Sequence, residues 1–118
     1  MIKVILYRKD ERYRGFCCSG HADYAEEGED IICSAVSALT VNCVNSIEAL
    51  AGDAMFVTED EDGGYLEMVL EDAGSEAAQL LLESLALGLD SIEDTYGSGF
   101  VSVSTGEVPA AADGEEPV

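Results

Sequence analysis

An imidazole and a thiol stand twelve residues apart in this chain: His21, its one histidine, and Cys33. His21 closes what reads as a strand, and Cys33 falls where an amphipathic helix begins. A base beside a thiol at a helix N-terminus is the chemistry that makes cysteine a nucleophile. An ordinary thiol of pKa ~8.5 is only a few per cent ionised at neutral pH. Lowering that pKa by about 2 units takes roughly 3 kcal/mol, within reach of a helix dipole and an imidazolium partner. Asp30 reads as the helix N-cap, which puts Cys33 at the third helical position. The amides of Cys33 and Ser34 are then the natural donors to an oxyanion. Ser37, one turn further on the same face, is placed to hydrogen-bond within such a site.

One effect opposes activation. Asp23, Glu26, Glu27, Glu29 and Asp30 crowd the connecting loop, and negative charge raises a thiol pKa. A bland reading also stands beside the catalytic one. A first-turn cysteine is often a small buried hydrophobe, a lone histidine is often packing or surface, and Ser37 and Asp30 serve equally as core polarity and cap. Types and spacing alone leave both readings open.

The elements that would position these groups are legible in outline. Ile2 to Arg8 alternates, Asp10 and Glu11 turn the chain, and Arg12 to Gly20 returns as the second strand of a hairpin. From Ile31 to Leu50, apolar residues recur at Ile32, Val36, Leu39, Cys43, Ile47 and Leu50, a helical stripe ended by Gly52. Met55 to Thr58 and Tyr65 to Asp72 form a second hairpin across the acidic loop Glu59 to Gly64. Ser75 caps a second helix running to about Thr95, with the stripe Ala78, Leu82, Leu85, Leu89, Ile92 and Tyr96. Leu80, Leu81 and Leu87 widen that stripe beyond one buried face, so the helix is either sandwiched or meets another subunit. Phe100 to Ser104 is a last short strand. The expectation is a single compact α+β domain, order ββαββαβ, with a largely antiparallel sheet packed against two amphipathic helices over residues 1–104. Residues 105–118 read as an acidic, disordered tail.

Composition bounds the function. At 118 residues and 47% apolar, the chain builds its own core. Its apolar runs fall short of a membrane span and its start lacks a signal peptide's layout, so a soluble cytoplasmic protein is expected. Four cysteines without C-x-x-C and one histidine read as reduced thiols rather than disulfides or a metal centre. All five cations lie in the first fourteen residues of a chain of net charge −20. Such a surface repels nucleic acid and anionic membrane and attracts basic partners.

The wording around the two residues is specific. Gly20-His21-Ala22, followed by Gly28-Glu29-Asp30-Ile31-Ile32-Cys33-Ser34-Ala35, resembles the ribosomal-processing cysteine protease family, Prp. The likeness continues through Asn45-Ser46-Ile47-Glu48-Ala49-Leu50, Gly64-Tyr65-Leu66 and Ile92-Glu93-Asp94-Thr95-Tyr96, covering residues 1–104. The resemblance implies a dyad of His21 as general base and acid and Cys33 as nucleophile, with no cofactor. It implies an endopeptidase that removes the N-terminal extension of a large-subunit ribosomal protein after an aromatic residue. It also implies a homodimer, and a loop that moves as substrate binds, with Gly28 as its hinge. Asp23, Glu26, Glu27 and Glu29 would then contact the basic segment beside the cut. The competing expectations are an acidic escort that binds a basic ribosomal protein without cutting it, and a thiol-redox or acyl-transfer protein.

Overall fold

The computed structural model describes residues 1–20, 29–60 and 64–109. Strands β1 (Ile2–Lys9) and β2 (Arg12–Ser19) form the first hairpin. Helix α1 (Glu29–Ser46) follows and runs into a π-helical turn, Ile47–Ala51. Strands β3 (Met55–Glu59) and β4 (Tyr65–Leu70) make the second hairpin, and helix α2 (Glu76–Tyr96) leads to β5 (Val101–Glu107). The sheet order is β3-β4-β2-β1-β5. Neighbours are antiparallel except β1 and β5, which run parallel. The expected α+β architecture and ββαββαβ order are what the chain adopts.

Alternation decides which sheet face is covered. Ile2, Val4 and Leu6 of β1, Phe16 of β2, Met68 and Leu70 of β4 and Val101 of β5 all point to one face and are buried. Ile32, Val36, Cys43 and Ile47 of α1, with Ala78, Leu82, Leu85 and Leu89 of α2, complete the same core. The Cys43 thiol donates to the Leu81 carbonyl at 3.8 Å, tying the helices together. Asp10 and Glu11 both take positive φ (54° and 65°) between the paired Lys9 and Arg12. This is the two-residue turn whose twist matches a hairpin.

Three expectations need correcting. Leu50, placed on the α1 stripe, is 75% exposed. The π-helical turn is wider than an α-turn, so the apolar face slips after Ile47; Gly52 closes it in the left-handed region (φ 75°), its N–H donating to the Ile47 carbonyl at 2.7 Å. Leu80 and Leu87 are 66% and 70% exposed, so α2 is not sandwiched among the described residues. Strand β5 runs past residue 104: Thr105, Gly106 and Glu107 pair with Leu6, Tyr7 and Arg8, because β1 offers ladder partners that far. Residues 110–118 of the expected tail lie outside the described residues.

Residues Ile31–Ala51 are long and apolar enough to cross a membrane by length and composition (mean hydropathy 1.4). Here the stripe of that segment, Ile32 to Ile47, is a wall of the domain core.

Candidate active site

Helix α1 carries Cys33 as a half-buried free thiol packed against the core edge. It opens into a cleft of about 180 Å³ between α1 and the ends of β2, β3 and β4. Spacing along the helix explains the floor: Val36, Ser37, Thr40 and Val41 follow Cys33 on one face and all line the cleft. The opposite wall is built by Cys18 and Gly20 of the β2 end, Glu59 of β3, and Gly64, Tyr65 and Leu66 at the start of β4. Ser37, expected beside Cys33, is there. Ser34 is exposed and does not line the cleft.

The helix start corrects two roles. It begins at Glu29, so Asp30 is its second residue and not its cap. Cys33, counted from Glu29, is the fifth residue rather than the third. The amides of Cys33 and Ser34 are therefore committed to carbonyls four residues back, and Ser34 is no free oxyanion donor. The unpaired amides belong to the first turn, toward which the Cys33 side chain leans. His21, Asp23, Glu26, Glu27 and Gly28, and the side chains of Glu29 and Asp30, lie outside the described residues.

Thr40 is a buried polar residue, and its hydroxyl donates to the Val36 and Ser37 carbonyls at 3.0 and 3.3 Å. It presents only its methyl group and a spent donor to the cleft. Burial pushes the Cys18 thiol up to about 11, with Cys17 and Cys33 adding to the shift. Burial alone pushes Cys43 up to about 12. Both stay protonated at neutral pH and are poor nucleophiles.

Gly20 was not singled out on chemical grounds, yet it governs how the chain leaves β2. Its φ is +94°, and a Cβ there would lie 2.3 Å from the Met1 carbonyl oxygen. Its N–H donates to the Gly64 carbonyl at 3.0 Å, fastening the strand end to the cleft wall one residue before His21 in the chain. The Gly-His dipeptide was the available signal. Gly64-Tyr65-Leu66 stood out only through the family likeness, and Cys18 and Glu59 left no signal, because the wall depends on register between segments far apart in sequence.

A half-buried thiol near a helix start, opening on a cleft of side-chain size, is the equipment of a cysteine hydrolase. The comparisons make that class specific. The model of the family described as Cysteine protease Prp matches residues 1–100. The ribosomal processing cysteine protease Prp of Bacillus subtilis (strain 168) is 35% identical over 101 residues, 81% of this chain and 90% of that protein. The protein of that name from Staphylococcus aureus (strain Mu50) is 33% identical over 97 residues, 81% and 92% of the two chains. The crystal structure of the S. aureus protease Prp with a substrate peptide matches with a TM-score of 0.82 at 28% identity, over 90% of this chain and 100% of that one. The same protease with a covalently linked product peptide matches at 0.81, with 29% identity over 90% and 100% of the two chains. The chain belongs to the Prp family of ribosomal processing cysteine proteases. It is, accordingly, a peptide-bond hydrolase of the thiol type.

Proposed function

We propose that Cys33 is the nucleophile and His21 the general base of this peptidase, and that its substrate is the precursor of a large-subunit ribosomal protein. The observation that carries this is the position of Cys33 in the lining of a cleft between α1 and the end of β2, the strand His21 follows in sequence. His21 takes the thiol proton and sulfur attacks the scissile carbonyl. The tetrahedral oxyanion is held by the first-turn amides of α1, those of Asp30 and Ile31, in place of Ser34. His21 returns the proton to the leaving amine, and water, deprotonated by His21, hydrolyses the thioester. Gly28 is the hinge of the loop between the two residues, and Ser37 supports the cleft from the next turn of the helix. Every step uses groups of the chain itself, with no cofactor.

Charge supports a basic substrate. No Lys or Arg follows Arg14, and Asp23, Glu26, Glu27 and Glu29 supply the negative charge that would attract such a substrate. A ribosomal-protein substrate supports a cytoplasmic location alongside ribosome assembly. The exposed Leu80 and Leu87 of α2 are the surface on which a homodimer forms; a Leu80→Glu, Leu87→Glu variant sediments as a monomer where the parent sediments as a dimer.

The test is mass spectrometry of the same organism's ribosomal protein precursor, incubated with the enzyme and with Cys33→Ala. One cut near the precursor's N-terminus, absent with Cys33→Ala, is expected. An intact precursor that binds both proteins equally would replace this reading by the acidic escort.

A further inference from the structure

Glu59 enters the cleft from its far wall. Register pairs Glu59 with Leu66 and Leu66 with Cys18, so the three side chains form a row across β3, β4 and β2. The row lies on the sheet face that α1 covers, because Leu66 packs against the core there. All three residues line the cleft into which Cys33 opens. The Asp60 N–H donates to the Tyr65 carbonyl at 3.1 Å, closing the hairpin directly behind Glu59.

Among the described lining residues Glu59 is the one carboxylate, and none is a Lys, Arg or His. Two strand spacings of about 4.8 Å separate Glu59 from the Cys18 end of the row, roughly 10 Å. An extended peptide advances about 3.3 Å per residue, so that distance is about three substrate residues.

We infer that Glu59 is a specificity-determining residue that accepts a lysine or arginine side chain of the substrate, about two to four residues from the scissile bond. This rests on the peptidase reading of the cleft and adds to it a defined subsite separate from the acidic loop. An exposed carboxylate discriminates modestly and its effect fades with salt.

The experiment takes the peptide spanning the cut found by mass spectrometry and replaces each Lys or Arg within four residues of the cut by Gln, one at a time. Glu59→Gln should lower kcat/KM on the parent peptide about three-fold to five-fold at low salt. That loss should vanish on one substituted peptide and persist on the others. Glu59→Lys should lower activity further and should prefer a peptide with Glu at that same position. Glu48→Gln, an exposed acid outside the cleft, should change nothing. Equal loss on every peptide, no loss at all, or a cut with no Lys or Arg within four residues overturns the inference and leaves the peptidase standing. No cleavage of any peptide by the parent enzyme overturns both.

Discussion

The two helices of this domain divide their surfaces differently. Helix α2 has a core face and a solvent face, and its start is pinned from several directions. Ser75 caps it, accepting from the Ala78 N–H at 3.0 Å, and is itself held by Asp53 at 2.6 and 2.8 Å. Gln79 exchanges hydrogen bonds with the Tyr13 backbone, each 2.8 Å. Arg12 reaches the Ala73 and Gly74 carbonyls and Glu76. Helix α1 gives one face to the core and another, from Cys33 to Val41, to a cleft. Buried Thr40 interrupts its apolar stripe and a π-helical turn ends it. The helix with the stronger stripe is tied to the sheet at its start, and the helix with the blurred pattern lines the cleft. A surface shared between core and substrate cannot keep a single apolar stripe.

The sharpest way to break this comparison is Cys33→Ala. It should lower peptide cleavage by at least about a thousand-fold while leaving the thermal midpoint near that of the parent; a large drop in stability would make Cys33 a core residue. Next comes Leu82→Ala on α2, expected to cost about 2–5 kcal/mol in a urea titration, since Leu82 is fully buried. Val41→Ala on α1 is its counterpart. Half-exposed on the cleft, it should cost about 0.5 kcal/mol or less yet raise KM for the peptide. Ser75→Ala should cost about 1 kcal/mol, seen in the same titration, with cleavage kinetics unchanged.

A further effect appears only at alkaline pH. Cys18 and Cys43 hold their protons in the folded state up to about 11 and 12, above the ordinary value of 9.0. The unfolded chain therefore binds fewer protons once the pH passes about 9, and stability falls from there until the folded thiols ionise too. Cys43→Ala should flatten part of that fall, read as urea midpoints between pH 8 and pH 11. An unchanged slope would mean the thiol is not shielded between the helices.

The alternation of β1 and β4, the Asp10-Glu11 turn, the Ser75 cap and the stripe of α2 were legible because each depends on neighbours a few residues away. The wording around His21 and Cys33 was legible as a family signature, and it alone lifted a cysteine near a helix start above the many that are merely buried. The start of α1 was misjudged by two residues because Glu29 and Asp30 are both good first-turn residues. That shift pairs the Ser34 amide within the helix. Leu50 was misplaced because a π-helical turn leaves no mark on apolar spacing.

The sequence by itself determined the element order and the core faces, since these follow from local periodicity, and it named His21 and Cys33 as candidates through the wording of a family signature. Only the tertiary structure decided that Cys18, Leu66 and Glu59 stand in one row opposite Cys33, and that Gly20 must be glycine because the Met1 carbonyl lies beneath it. Those facts are set by strand register and close packing between distant segments. A chain shows them only when a single registration buries its apolar faces and satisfies its backbone together.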